Sequence, residues 1–339
     1  MPLRCGLIGR PRSGKTTVFN AVTSAHASLF DAADAHRASV VVPDPRVRQL
    51  VQMYSPAKVS PAAMDLVDIP GLEEGAGNEE GRGRRLLSHI KESDVLLHVV
   101  RCFAQDAEAA APVDDVERVD LELMAADAST LERKLERLSK WLRAGEKAAC
   151  READVCRRVL AHLDQGAPAR TLDLSDDDRM AVLDCQLLSL KPVLYVANVQ
   201  GGQEMENETV LKLRTMARRE GAEAVAICGR DEAEINELPE EERGAFLQEL
   251  GVEEPSAERI LHAAYRELQL VDFFTAGEKE VRVWTCPKGS TAAVAAGKIH
   301  SDMERGFIRM EVIAFEDLMD YGSEAAVIRA GKRRLEGKE

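Results

Sequence analysis

The sequence of 339 residues predicts an α/β protein whose centre is a mostly parallel, doubly wound sheet. Short apolar strands alternate with helical segments through the first hundred residues, and two further strands follow after residue 190. A segment rich in Ala, Leu, Glu and Arg interrupts this alternation. A separate α+β pattern begins near residue 271. These observations divide the chain into three predicted parts. The sheet-forming part comprises residues 1–118 and 191–270, the inserted helical segment comprises residues 119–190, and the final α+β part comprises residues 271–339.

The sheet-forming part is predicted from apolar runs bounded by turn residues. Strands are expected at residues 4–9, 39–43, 64–68, 95–101, 192–198 and 222–228, and helices at 15–24 and 82–92. Because helices separate consecutive strands, the connections favour parallel pairing.

The interrupting segment has the periodicity of two helices. Leu131, Leu135, Leu138 and Leu142 recur at spacings of three and four, and the pattern repeats after a polar turn near Gly145. We therefore expect an antiparallel helical arm inserted into the sheet domain, with residues 166–178 as its return loop.

The final part is predicted to be a small α+β domain. A linking helix ends near residue 268, and a hairpin over 272–284, a helix over 291–299 and a strand over 309–315 follow it.

Composition excludes several classes of protein. A net charge of −14 argues against a protein whose surface is broadly basic and binds nucleic acid. Residues 82–85, 133–147 and 329–338 are locally basic, and solvated helix faces explain such runs most simply. The apolar run at 95–100 is too short to span a membrane, and no signal peptide is evident, so a cytoplasmic protein is expected.

Seven scattered cysteines without a C-x-x-C pair indicate structural thiols.

The strongest motif is Gly9-x4-Gly14-Lys15-Thr16, which follows a predicted strand and opens a predicted helix. Glycines permit the tight curvature that points successive N–H groups at phosphate oxygens. Lys15 is expected to contact the β- and γ-phosphates, and the Thr16 hydroxyl to bind Mg²⁺. The predicted phosphate-binding residues are Gly9, Arg10, Pro11, Arg12, Ser13, Gly14, Lys15, Thr16 and Thr17.

A second motif, Asp68-Ile-Pro-Gly71, ends another strand. An acidic residue there can hold Mg²⁺ through water, and the Gly71 amide can meet the γ-phosphate, so Lys15 and Gly71 are the catalytic candidates. Leu72 stands where Ras-like GTPases carry the glutamine that orients water. An apolar residue cannot do this, which predicts slow intrinsic hydrolysis or catalysis by another group.

Base recognition is expected after the strand at 192–198. Guanine-specific GTPases place N-K-x-D there, whereas this chain has Asn198-Val-Gln-Gly201. We predict that Asn198, Val199 and Cys228 contact the nucleotide at an adenine-binding or relaxed site. The choice between ATP and GTP stays open.

Together these residues resemble the Obg-like ATPase (YchF) family of P-loop proteins. The matching text spans nearly the whole chain: Pro43-Asp-Pro-Arg46, Asp68 to Leu72 with Gly75-Ala76, Ser88 to Lys91, His98 to Phe103, Lys191 to Asn198, Phe273 to Gly277, Ala295 to His300 and Glu304 to Arg309. The resemblance implies a P-loop domain with an inserted helical arm, a C-terminal TGS domain, an ATP-preferring NTPase activity and association with the ribosome.

Several positions depart from the family pattern. Arg12 and Ser13 replace the family's Asn and Val, and we hypothesise that the Arg12 guanidinium partly substitutes for a potassium ion. Residues 26–37 lack the sequence that the family carries in its first switch. Residues 104–112 lack the histidine that many members carry there, and Gly201 replaces the glutamate with which the family recognises the base. The family also continues past Glu339, so the TGS domain is expected to lack its last strands.

The function expected from the sequence is a slow, Mg²⁺-dependent ATP or GTP hydrolase that acts as a ribosome-associated switch, read out by the loops at 31–42 and 71–85. Two alternatives stay open: a nucleotide-binding scaffold that does not hydrolyse, and a GTP-specific GTPase. His89, His98 and His300 are expected to be packed or capping residues. Glu73 and Glu74 are expected to be ordinary acidic residues on a mobile loop.

Overall fold

The structure, a computed structural model, describes residues 3–23, 35–71, 82–104, 110–201, 206–249 and 255–338. The strands are β1 (Leu3–Ile8), β2 (His36–Val41), β3 (Val59–Ser60), β4 (Ala63–Asp68), β5 (Val95–Arg101), β6 (Val193–Asn198), β7 (Glu223–Ile227), β8 (Leu270–Thr275), β9 (Val281–Pro287), β10 (Met310–Val312) and β11 (Arg334–Glu336). The helices are α1 (Lys15–Thr23), α2 (Pro45–Tyr54), α3 (Arg82–Glu92), α4 (Pro112–Arg143), α5 (Lys147–Leu163), α6 (Asp176–Ala181), α7 (Glu208–Arg219), α8 (Gly229–Glu237), α9 (Glu240–Glu249), α10 (Ser256–Glu267), α11 (Ala292–Ile299), α12 (Ser301–Arg305), α13 (Phe315–Tyr321) and α14 (Glu324–Arg329).

The chain forms two compact units. The first contains residues 1–40 and 63–268, and the second contains residues 41–62 and 269–339. The segment 41–62 therefore differs from the sequence-based division, which assigned it to the sheet domain. Its strand β3 pairs with β9, and that pairing joins residues more than two hundred positions apart, which no local pattern reveals.

The first unit is built on a six-stranded sheet in the order β2-β4-β1-β5-β6-β7. The pairs β1–β4, β1–β5, β5–β6 and β6–β7 are parallel, which confirms the predicted fold class. All six residues of β6 are buried, as expected for a central parallel strand covered by helices on both faces. The carboxyl ends of β1, β4 and β6 meet at one edge, where ligands bind in open α/β sheets.

The inserted arm consists of α4 and α5, joined at Gly145, which has a left-handed φ of 72°. Helix α4 has 32 residues, so it is about 48 Å long. It begins at Pro112, earlier than the predicted insertion, because proline suits the first helical turn and Asp114 and Asp115 favour its positive end. Leu131 packs on Val155 and neighbouring residues, confirming the antiparallel helix pair.

The return segment is more ordered than the loop predicted for 166–178. It contains a short 3₁₀ turn at Ala169–Thr171 and the start of α6. Ser175 and Asp178 form a reciprocal capping box there, with a 3.2 Å bond from the Asp178 amide to the Ser175 hydroxyl. The acidic cluster that suggested a loop is thus the N-terminus of a helix.

Buried carboxylates fix the N-terminal half of α4 to the rest of the first unit. Asp120 pairs with Arg170 through two bonds of 3.0 and 2.6 Å, and Arg170 also donates to Tyr195 Oη at 2.9 Å. Asp127 accepts from the backbone amides of residues 188 and 189 at 2.7 and 2.8 Å. Breaking one partner of such a buried network leaves an uncompensated charge, so these contacts hold the arm's base rigid.

The second unit contains a three-stranded sheet, β3-β9-β8, and the two-stranded pair β10–β11. Strands β8 and β9 are antiparallel, which confirms the predicted hairpin. The strand predicted over 309–315 is wrong at its end, because β10 stops at Val312 and α13 begins at Phe315 with acidic residues in its first turn. Whether the closing strands of a TGS domain are lacking stays a prediction.

Candidate functional site

The loop from Gly9 to Thr16 leaves β1 and enters α1, as its motif predicts. Gly9 and Gly14 have φ values of 147° and 89°, which only glycine adopts readily. Arg12 also has a positive φ, 63°, in the left-handed region that costs a non-glycine residue about 1–2 kcal/mol. The loop therefore holds a strained turn, as expected where a backbone is shaped for a ligand.

The loop is also packed against neighbouring strands. A Cβ atom on Gly14 would collide with the Asn198 side-chain amide, and one on Gly9 would collide with the Val99 carbonyl. Gly71 lies against Pro11, because a Cβ there would be 2.8 Å from the Pro11 nitrogen. Lack of space therefore requires glycine at all three positions. At Gly9 and Gly14 the positive φ also requires it.

Lys15 is buried and folds back beneath the loop. Its Nζ atom donates to the carbonyl oxygens of Gly9 and Arg10 at 3.3 and 2.9 Å. Burial lowers the pKa of Lys15 to about 8, an effect that the Asp68 carboxylate partly opposes. An anion placed in the loop would restore the charged form of this amine.

Thr16 and Asp68 meet at the same edge. The Thr16 hydroxyl donates to Asp68 Oδ2 at 2.6 Å, while the buried Oδ1 atom has no partner among the described residues. Burial raises the pKa of Asp68, and the bond from Thr16 and the charge of Lys15 oppose that rise. A hydroxyl and a carboxylate with a spare oxygen are the hard oxygen ligands that Mg²⁺ prefers, so these residues fit that ion.

Asn198 braces the loop from the end of β6. Its Nδ2 atom donates to the Ser13 carbonyl at 3.0 Å, and its Oδ1 atom accepts from the Gly229 amide at 3.2 Å. Both ends of the side-chain amide are therefore used within the chain. Sequence reasoning assigned Asn198 to the nucleotide, and the geometry gives it a structural task beside the phosphate loop.

The other residues predicted for base recognition lie next to this brace. The Val199 amide donates to the Ile227 carbonyl at 2.9 Å, and the Cys228 thiol contacts the Gln200 carbonyl at 3.4 Å. A Cβ added at Gly201 would meet no atom of the described residues within 4 Å. This edge offers backbone and small side chains but no carboxylate among the described residues 198–201 and 227–229.

Arg10 connects the loop to the arm, a contact that sequence reasoning missed. Its Nη1 atom bonds to Asp115 Oδ1 at 2.7 Å, and the Asp115 side chain is 8% exposed. In the sequence Asp115 is indistinguishable from an acidic residue that stabilises a helix N-terminus. Only the fold brings the start of α4 to the loop.

Of the three histidines, His98 is packed in the core and His300 caps a helix, whereas His89 contacts an arginine. His98 is 1% exposed, its ring centroid lies 5.6 Å from that of Tyr195, and burial lowers its pKa to about 3. His300 accepts from the Asp302 amide at 3.2 Å and caps α12. His89 Nδ1 lies 3.2 Å from the Arg37 guanidinium.

Some predicted site features lie outside the described residues. These are Leu72, Glu73, Glu74, and the parts of the switch and shortened loops at 24–34, 72–81 and 105–109. Within the described ranges, no group of three or more His, Cys, Asp and Glu side chains could hold a metal, and no helix is long and apolar enough to cross a membrane.

Comparison with known proteins gives matches along the whole chain. Residues 4–149 match the family model of a 50S ribosome-binding GTPase, and residues 270–339 match the C-terminal family of YchF GTPases, described as a protein of unknown function (DUF933). The Ribosome-binding ATPase YchF of Escherichia coli O157:H7 is 42% identical over 348 residues, with 100% of this chain and 96% of that protein covered. The protein of the same name from Bacillus subtilis strain 168 is 41% identical over 351 residues, with the same coverage.

A solved structure gives the same result. The Schizosaccharomyces pombe YchF GTPase superposes with a TM-score of 0.85 at 32% identity, covering 99% of this chain and 94% of that one. The predicted resemblance is therefore confirmed, and the chain belongs to the YchF family.

Proposed function

We propose that this protein binds a nucleoside triphosphate with Mg²⁺ at the loop Gly9–Thr16 and hydrolyses it slowly, with ATP as the preferred substrate. The observation that carries the proposal is the meeting of Lys15, Thr16 and Asp68 at the carboxyl edge of the sheet, with a 2.6 Å bond between the last two. The curated relatives are named ATPases, which supports the choice of ATP, whereas the Schizosaccharomyces pombe structure and the family model over residues 4–149 are named for GTPases.

Each residue has a role that follows from its position. The loop amides and the Lys15 ammonium group bind the phosphates, and charged Lys15 is favoured by their negative charge. Thr16 and Asp68 would hold Mg²⁺, which would neutralise charge on the phosphates. Gly71 lies against Pro11 of the phosphate loop, and we infer that its amide meets the γ-phosphate there and senses hydrolysis.

Slow turnover follows from Leu72, which cannot orient an attacking water. The same residue favours the second candidate, a scaffold that binds nucleotide without hydrolysing it. A GTP-specific enzyme is the third candidate, and it is disfavoured because no carboxylate follows Asn198 within the next three residues to accept from guanine.

Association with the ribosome is proposed from the relatives. The curated relatives are named ribosome-binding ATPases, and the family model over residues 4–149 describes a 50S ribosome-binding GTPase. We propose the same partner here, and with it a cytoplasmic location and a switch whose arm and second unit respond to the bound nucleotide.

The test is phosphate release at saturating ATP or GTP, with Mg²⁺, in the presence and absence of ribosomes. Lys15→Ala is the control, since it removes the buried ammonium group. We expect slow release from ATP that exceeds the control and rises with ribosomes. A rate equal to that of Lys15→Ala under every condition would leave only the scaffold, and release from GTP alone would reverse the choice of base.

A further inference from the structure

The tip of the helical arm, defined here as residues 137–147, has a charge opposite to that of the whole chain. It carries four basic residues and one acidic residue, within a protein whose net charge is −14. The four cations are Arg137, Lys140, Arg143 and Lys147, and all are exposed. This concentration is not explained by the phosphate loop or by the packing of the arm.

Trp141 lies among these cations and is 58% exposed. Arg133, Arg137 and Trp141 are spaced four residues apart, so they stack along one side of α4, away from the leucines that pack against α5. Tryptophan is highly buried on average, and an exposed one flanked by cations combines an aromatic stacking face with positive charge.

The charges at the tip differ from those nearer the base of the arm. Next to the tip, Lys134 pairs with Glu152 at 2.9 Å and Arg151 with Asp177 at 2.9 Å, and farther along α5 Arg158 pairs with Asp178 at 2.8 Å. At the tip, Lys140, Arg143 and Lys147 have no ion pair with any residue in the described ranges. The basic residues outside the tip support the fold of the arm, whereas Lys140, Arg143 and Lys147 are available to an external anion.

We propose that the arm tip is an RNA-binding surface, where Trp141 stacks on an unpaired base and the surrounding cations contact the backbone phosphates. Unpaired bases stack on aromatic side chains, and basic residues follow the backbone beside them. The charge of the tip, four cations against one acidic residue, suits a polyanion, and polyglutamate tests an acidic protein surface as the alternative partner. The inference rests on the proposed ribosome association for its biological setting.

The experiment uses the full chain with Trp284→Phe, so that Trp141 is the single remaining tryptophan. The probe is single-stranded oligouridine, which lacks the adenine and triphosphate of the proposed nucleotide. We expect the RNA to quench Trp141 fluorescence. In a labelled-RNA assay, Trp141→Ala should lower affinity at least about fivefold, as removal of one stacked base does.

The charge variant is the combination Lys140→Gln, Arg143→Gln and Lys147→Gln. It should weaken binding and make it less dependent on salt, with the slope falling by about 0.7 for each phosphate that is no longer neutralised. Arg157→Gln is the matched control, since Arg157 is an exposed cation on the same arm away from the tip. Unchanged RNA binding by the tip variants, absence of quenching, or equal quenching by polyglutamate would overturn the proposal.

Co-sedimentation with ribosomes is measured in parallel. If the unmodified chain co-sediments and the tip variants bind both ribosomes and oligouridine normally, the tip inference fails and the proposed function stands. If the unmodified chain binds RNA through the tip but does not co-sediment, the ribosome association fails instead.

Discussion

The phosphate loop and the base-recognition edge lie at the same end of one sheet, yet they constrain their residues very differently. In the loop, Gly14 needs a φ of 89° and has no room for a Cβ, because Asn198 occupies that space. At the edge, Gly201 has no positive φ, and none of the described residues would lie within 4 Å of an added Cβ. The first position admits one residue type, and the second admits many.

The difference reflects what each region recognises. Phosphates are alike in all nucleotides and are bound by backbone amides, whose directions depend on an unusual chain path. A base is recognised by side-chain donors and acceptors, which can be exchanged without altering the fold. Substitutions should therefore be costly in the loop and should change specificity at the edge.

The largest effect is expected from Gly14→Ala. The added methyl group would displace the Asn198 amide and force a residue with a side chain into the left-handed region, so the loop would no longer hold its phosphate-binding geometry. We expect ATP affinity to fall at least about a hundredfold, because two or more backbone hydrogen bonds to charged oxygens would be broken. Titration of a fluorescent ATP analogue measures it.

Gly201→Ala is the matched control, because it adds the same methyl group at the same edge of the sheet without a collision. It should bind ATP within about twofold of the unmodified chain, as surface substitutions usually do. Equal reductions of affinity in the two variants, or equal tolerance of both, would contradict the contrast between the regions.

A similar contrast separates the features that the sequence could predict from those that it could not. Residues 9–16 and 68–71 form contiguous motifs, each with its own turn chemistry, so the loop and the Asp68 site could be predicted. The bond from Arg10 to Asp115 and the pairing of Val59 with Val281 could not. They depend on elements distant in the sequence, and their side chains look like ordinary helix or strand residues.

An intermediate effect is expected from pH. Free Lys15 has a pKa of about 8, lowered by burial, whereas bound phosphates would keep its ammonium group charged. Binding above pH 8 must therefore take up a proton, and ATP affinity should fall about tenfold between pH 7 and 9. Calorimetry in buffers of different ionisation enthalpy measures the proton uptake.

Lys15→Arg is the control for this pH dependence, since a guanidinium group stays charged throughout that range. Its affinity is expected to be lower but nearly constant with pH. A flat profile for the unmodified chain would show that Lys15 is already fully charged in the free loop.

The smallest effect is expected at the open edge. In Gly201→Glu, the Cβ meets no described residue within 4 Å, and we expect the new carboxylate to accept a hydrogen bond from an exocyclic amine of the base. One such charge-assisted bond on a partly exposed edge is worth about 1 kcal/mol, so the ratio of ATP to GTP affinity should change about fivefold. Gly201→Gln separates charge from size, because its amide has nearly the same volume and lacks the negative charge. If both variants shift the ratio equally, the edge responds to bulk, and base choice is controlled elsewhere in the chain.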